Sequence, residues 1–266
     1  MTRAAPALPC PLCGAESTLF FTEAGRDYFR CPVCELRFLD PAHHPAPEVE
    51  KAHYLTHEND VDDPAYRRFL SRLADPLITR LPPGARGLDH GCGPGPALAG
   101  MLREAGHAVA LYDPFFAPDP APLAGTYDFV TCTETAEHFH HPAEEFARLH
   151  ALIRPGGWLA VMTCFQTDDA RFAAWRYRKD PTHVVFYRAA SFHHLAGLWG
   201  WSCTVPVKDV VLMQRPRPRG LRPARTGGAV RGWTSAPWRG ICAVSGGVAG
   251  NTADGRTTRR EKPGLA

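Results

Sequence analysis

The chain has 266 residues, 44% apolar and 21% charged, and its 30 Lys and Arg against 27 Asp and Glu leave a net charge of +3. That length holds one domain or two, and a core of about 150 residues already buries about two-thirds of its unfolded surface. Residues 1–9 lack the apolar stretch of a secretory leader and no later run approaches ~18 consecutive apolar residues, which excludes a spanning helix and predicts a soluble, cytoplasmic protein with no membrane partner.

The first element is a cysteine pattern. Cys10-Pro11-Leu12-Cys13 and Cys31-Pro32-Val33-Cys34 form C-x2-C-x17-C-x2-C, inside the spacing of a four-thiolate zinc ribbon. Two such knuckles bring Cys10, Cys13, Cys31 and Cys34 to one centre, with a hairpin between them. Structural zinc then supplies stability that so short a segment cannot draw from apolar burial. A redox pair needs only one C-x-x-C, and the second copy argues against it. Residues 1–60 hold five basic and nine acidic side chains, a net of −4. Nucleic-acid affinity rests on neutralising phosphates, so an acidic ribbon is poorly suited to it and reads as a structural cap or a cleft wall. The other five cysteines, Cys92, Cys132, Cys164, Cys203 and Cys242, have no partner pattern and read as structural.

The expected organisation is a ribbon over 1–45, a linker and helix over 46–82, an α/β domain over 83–214 and a tail over 215–266. In the second segment Tyr66, Phe69, Leu70, Leu73, Leu77 and Ile78 recur at helical spacing, with Pro76 expected to kink or divide the helix.

A short strand over 85–90 then runs into Gly91-Cys92-Gly93-Pro94-Gly95-Pro96, where glycine at alternate positions permits left-handed backbone and close approach of a ligand. A helix follows over 96–105 and a second strand over 107–112 that ends in Asp113, a carboxylate able to accept from both hydroxyls of a ribose. A dinucleotide fingerprint would place a small residue at the sixth position, where Pro96 or Leu98 stands. A P-loop would require Gly-Lys-Ser/Thr, and the turn has none.

Residues 127–132 read as a buried strand. They are followed by Thr133-Glu134-Thr135-Ala136-Glu137-His138, an amphipathic helix over 143–153, the turn Arg154-Pro155-Gly156-Gly157 and a strand over 158–164. This series, together with the D-x-G-x-G-x-G turn beginning at Asp89, resembles the class I S-adenosylmethionine-dependent methyltransferases, and most of all their ubiquinone-biosynthesis-type small-molecule branch. The likeness spans about residues 66–213, including the Asp180-to-Tyr187 hairpin. It implies a Rossmann-like α/β sheet with helices on both faces and S-adenosylmethionine as cofactor, held by Asp89, Gly91, Gly93, Gly95, Asp113, Thr133 and Glu134. It also implies a lid before the core, for which Tyr54 and His57 are candidates. One departure is plain: residues 115–125 are a proline-rich connection where relatives carry a helix, a third strand and an adenine contact, and Asp119 is its only acid.

Methyl transfer from a sulfonium is an in-line displacement that depends on positioning. A hydroxyl or amine acceptor must also lose a proton, and histidine is suited to take it near neutral pH. His138, after the fourth core strand, and His183, in the later hairpin, are the candidate catalytic residues, with Glu137 or Asp180 as orienting partners. Trp175, Tyr177, Phe186 and Tyr187 are candidate pocket walls.

The expected function is therefore methyl transfer to a small-molecule acceptor, with oxygen favoured over nitrogen or carbon. Two alternatives stay open, an RNA base methyltransferase docking its substrate through the ribbon and a non-catalytic S-adenosylmethionine-binding protein. After a last strand over 210–213, residues 215–266 carry eleven basic and two acidic side chains. Their ten glycines and five prolines leave little apolar surface and predict a disordered basic tail.

Overall fold

The computed structural model describes residues 7–56 and 60–218. His57, Cys242 and the tail from 219 onward lie outside the described residues. Four strands open the chain, β1 (Ala7–Pro9), β2 (Glu16–Glu23), β3 (Arg26–Arg30) and β4 (Arg37–Leu39), each antiparallel to the next. The β2–β3 hairpin separates the two cysteine knuckles, as their spacing requires.

Helices α1 (Pro47–Tyr54) and α2 (Pro64–Ile78) follow. The α2 start is set by Asp63, whose carboxylate accepts from the backbone N–H groups of Ala65 and Tyr66, and by Pro64 in the first turn. Its stripe Leu70, Leu73, Ala74 and Leu77 is buried. The helix is not divided at Pro76 and runs on to Ile78. Pro76 lies in the last turn, where a proline disturbs little of the helix that remains.

The core then runs β5 (Arg86–His90), α3 (Ala97–Glu104), β6 (Ala108–Tyr112), β7 (Tyr127–Thr133), α4 (Pro142–Leu152), β8 (Ile153–Met162), β9 (Val185–Phe186), α5 (Ala189–Trp199), β10 (Ser202–Val207) and β11 (Val210–Gln214). Six of these strands form one sheet in the order β10-β11-β8-β7-β5-β6, parallel from β8 through β6 and antiparallel at β11 and β10. This is the Rossmann-like α/β arrangement expected.

Successive side chains on a strand point to opposite faces. Phe129, Ala160, Met162 and Leu212 accordingly pack with Leu73, Leu77, Leu98 and Leu102 of α2 and α3. Val130, Val161 and Val211 pack on the other face with Phe146, Phe192 and the ribbon's Phe29 and Phe38. Each ring so enclosed contributes roughly 1.5–3 kcal/mol of apolar burial. Burial on both faces explains why these strands read as unbroken apolar runs. The strand expected over 158–164 starts earlier, at Ile153, because a register slip opposite Tyr127 and Phe129 takes up the Pro-Gly-Gly segment, and it ends at Met162.

The ribbon is not an appendage. Its last strand β4 pairs with β9, Arg37 opposite Phe186 and Phe38 opposite Val185, so that the hairpin supplies the fifth strand of the ribbon sheet. Leu39 N–H donates to the Val184 carbonyl at 2.8 Å, and Ser191 Oγ donates to the Cys34 carbonyl at 2.8 Å. Of the four aromatics considered as pocket walls, Phe186 and Tyr187 are buried in the core, and Trp175 and Tyr177 are partly buried against it. Trp175, Tyr177 and Phe186 gather around Phe172, while Tyr187 is fully buried and donates to the Ala136 carbonyl. Among the described residues no helix is long and apolar enough to cross a membrane.

Candidate active site

The turn after β5 bends back on the neighbouring strand. Gly91 N–H donates to the Tyr112 carbonyl at 2.8 Å and Gly93 N–H to Asp113 Oδ2 at 3.0 Å. Both glycines have left-handed backbone, φ 75° and 63°, which a side chain disfavours. At Gly91 space forbids one as well, because a Cβ would lie 2.2 Å from Thr135 Cγ2. Asp113 is buried, and its Oδ1 accepts from the N–H groups of Phe115 and Phe116. Three backbone donors thus fix this carboxylate at the strand tip.

Beneath the turn Asp89 is buried and accepts from Thr131 Oγ1 at 2.7 Å, and burial pushes its pKa up to about 6. At the end of β7, Glu134 has φ 47° and ties its N–H to the Met162 carbonyl. Burial, and then the neighbouring Glu137, hold the Glu134 carboxyl well above its ordinary range. Glu137 has no solvent exposure. Tyr177 Oη donates to its Oε1 at 2.5 Å, whereas Oε2 and the buried Thr133 Oγ1 have no protein partner among the described residues.

The two candidate histidines face one another, ring centroids 4.8 Å apart. His138 Nδ1 lies 3.0 Å from the Thr182 carbonyl and His183 Nδ1 lies 2.6 Å from the Tyr177 carbonyl. A carbonyl can only accept, so each Nδ1 carries the hydrogen and each Nε2 of the neutral ring keeps its lone pair. His138 Nε2 is 4.0 Å from Glu137 Oε1, and His183 Nε2 is 3.9 Å from Asp180 Oδ2. Burial lowers the His183 pKa, disfavouring its charged form. Tyr54, on α1, lies edge-on to His138 and next to Phe115. The same helix is joined to the core through His53 and Asp180, 3.1 Å, and through Glu50 and His140, 2.9 Å.

All nine residues considered from sequence, Asp89, Gly91, Gly93, Gly95, Asp113, Thr133, Glu134, His138 and His183, line one cavity of about 740 Å³. The glycine turn and Asp113 fit a nucleoside carrying an amino acid, since they offer bare backbone beside an acid at one end of the space. Sequence reasoning missed His90, Glu50, Tyr112 and Phe139 in the same wall. Only His90 left a signal, a polar residue beside Asp89 at the end of a strand that leads into the glycine turn.

The second cluster lies in the ribbon. The sulfurs of Cys10, Cys13, Cys31 and Cys34 are all within 4.8 Å of one another, and the pairs Cys10–Cys34 and Cys13–Cys31 are 3.5 Å apart. Zn–S bonds of about 2.3 Å place tetrahedral sulfurs just under 4 Å apart, so the set fits zinc. Backbone N–H groups of Val33 and Cys34 point at Cys31 Sγ, as donors to a thiolate would. By contrast, burial pushes Cys92 up to about 12 and Cys164 and Cys203 up to about 11, leaving them as inert thiols.

A family model described as a methyltransferase domain matches residues 60–204, more than half of the chain. Over 39 residues, 15% of this chain, it is 49% identical to a ubiquinone biosynthesis O-methyltransferase of Burkholderia multivorans, and it spans about 17% of the length of that curated relative. Among solved structures, the 1,6-didemethyltoxoflavin-N1-methyltransferase of Burkholderia thailandensis is 18% identical, with 74% of this chain and 98% of that one covered and a TM-score of 0.45. The magnesium protoporphyrin IX methyltransferase of Synechocystis is 17% identical, covering 64% and 94% with a TM-score of 0.42.

Proposed function

We propose, from the premise that the chain belongs to the methyltransferase domain family, that it moves a methyl group from S-adenosylmethionine to a protic atom of a small-molecule acceptor, with oxygen favoured. The cofactor, when bound, supplies the activated methyl group. Asp113 accepts from its ribose hydroxyls, the backbone of Gly91, Gly93 and Gly95 lies under its amino acid part, and Asp89, Thr133 and Glu134 complete that end. A buried acid with a raised pKa, such as Asp89, gains from a cationic ligand close by.

The acceptor end is the work of His138 and His183. The Nε2 lone pair of His138 takes the proton of the acceptor, and Glu137 at 4.0 Å steadies the imidazolium that results. Thr182 and Tyr177 hold the two rings in the required tautomer through their carbonyls. Tyr54 and Phe115 lie over this end and keep water from it, and the ribbon zinc is structural. A reducing, cytoplasmic setting suits a ribbon whose four cysteines form no disulfide.

One observation carries this reading: the glycine turn, Asp113 and the facing imidazoles of His138 and His183 line the same cavity. Incubation of the purified chain with labelled S-adenosylmethionine and, in parallel, a metabolite extract and total RNA tests it. Label is expected in the small-molecule fraction. Label confined to RNA would replace the acceptor class, and binding without transfer to either would leave a cofactor-binding protein.

A further inference from the structure

We infer that His138, His183 and Glu137 form a second zinc site, apart from the ribbon, and that filling it stops methyl transfer. The site itself stands on geometry, and only its consequence rests on the proton-transfer role proposed above. Among the described residues, the ribbon cysteines and this set are the two groups whose ligand atoms all lie within 4.8 Å of one another. All three residues line the cavity.

A metal-binding histidine donates its other ring N–H to a carbonyl or carboxylate, which fixes both tautomer and ring orientation. Both rings do this, His138 through the Thr182 carbonyl and His183 through the Tyr177 carbonyl, so each Nε2 lone pair is left for a cation. The third ligand is oriented in the same way, because Tyr177 Oη donates to Glu137 Oε1 at 2.5 Å. Tyr177 is therefore a positioning residue for two ligands, one through its carbonyl and one through its hydroxyl. Glu137 is wholly buried, and its only ion-pair neighbour among the described residues is His138. Buried carboxylates are paired or coordinate metals. Ligand atoms face one another and not solvent, as the ribbon's Cys31 and Cys34 do at 1% and 0% exposure. A cation enters from the cavity past His138, whose side chain is the most exposed of the three.

Two nitrogens and one oxygen select zinc over magnesium or calcium, which take oxygen ligands. His138 Nε2 and Glu137 Oε1 are 4.0 Å apart, against about 3.4 Å between ligands on a tetrahedral zinc with bonds of about 2.05 Å. Small side-chain rotations close that difference. Three such ligands hold zinc less firmly than the four ribbon thiolates, so this site fills second. One lone pair serves either a proton or a metal, and zinc on His138 Nε2 removes the proton acceptor while leaving Asp113 and the glycine turn untouched.

The test is equilibrium dialysis of the full chain, its ribbon already loaded, against zinc buffered stepwise upward, with bound metal, turnover and S-adenosylhomocysteine affinity followed together. The wild type is expected to take up a second equivalent that His138→Ala and His183→Ala each abolish, with the ribbon equivalent retained. Tyr177→Phe, which keeps the carbonyl to His183 and loses the hydroxyl to Glu137, should weaken the second site by about 10–100-fold. Near-UV circular dichroism establishes that the variants fold, and Tyr177→Phe carries the readout if a histidine variant does not. Turnover should fall as the second equivalent binds and return on its removal, with nucleoside affinity unchanged. A single equivalent in the wild type, or a second that survives both histidine substitutions, would overturn the site. Undiminished or increased turnover at full occupancy would overturn its consequence. A chain that transfers no methyl group at any zinc level would instead remove the proton-transfer reading, while the stoichiometry still decides the site.

Discussion

The end of the cavity proposed for the cofactor comes mainly from one strand–turn–helix–strand unit, β5 through Asp113, with Thr133 and Glu134 added from the end of β7, whereas the end proposed for the acceptor is assembled from α1, the loop after β7 and the hairpin around β9. In the first, backbone groups do the positioning, and the contacts from Gly93 and Gly91 span about twenty residues. In the second, side chains from Tyr54, Glu137, His138, Tyr177 and His183 converge, and their register depends on the ribbon pairing with β9. A site made locally stands or falls with a few residues. A site made at long range inherits every fault in the packing that assembles it.

Separating the two halves by mutation is the sharpest way to break this comparison. His138→Gln is expected to slow methyl transfer by about 10²–10⁴-fold while calorimetry shows the affinity for S-adenosylhomocysteine within about twofold of wild type. A parallel loss of affinity would mean that the halves are not separate. Asp113→Ala should do the converse, weakening nucleoside binding by about 10²-fold with circular dichroism unchanged, because it removes an acceptor that also orients three backbone amides.

Zinc removal by chelation probes the long-range construction. None of the four ribbon cysteines lines the cavity, yet β4 pairs with the strand that follows His183. Turnover is expected to fall by about 10²-fold, the scale of a 1 Å displacement at a reacting group, with nucleoside affinity far less affected. Equal losses in both would show that the ribbon supports the whole fold and not the acceptor wall alone.

The smallest effect concerns Asp89. Burial raises its pKa from 3.8 to about 6, so the folded chain holds this proton more tightly than the unfolded one. Its contribution to stability is therefore fully present below about pH 4 and is lost as pH rises through about 6. Asp89→Asn should stabilise the ligand-free protein at pH 8 by about 2–3 kcal/mol and leave it nearly unchanged at pH 4, as read by thermal denaturation. An equal shift at both pH values would assign the effect to packing.

The glycine turn and Asp113 were legible in residue order because their contacts are local: glycines at a strand end, then an acid at the tip of the next strand. The cysteine knuckles were legible for the same reason. His138 and His183 could be singled out, but their tautomers could not, since these depend on carbonyls of Thr182 and Tyr177 brought close by folding. Trp175, Tyr177, Phe186 and Tyr187 show the limit most clearly. An aromatic stripe has the same spacing whether it lines a cleft or fills a core, and here it fills the space between ribbon and hairpin.

The amino-acid sequence by itself determined the order of strands and helices, the four-thiolate set, the glycine turn and the acid after it, because each follows from short-range geometry and side-chain chemistry. Only the tertiary structure decided that β9 completes the ribbon sheet, that Glu137 is buried with one oxygen unpartnered among the described residues, and that His90 is among the residues lining the cavity. Those depend on which distant segments share a buried face, and that choice belongs to the packing of the whole chain.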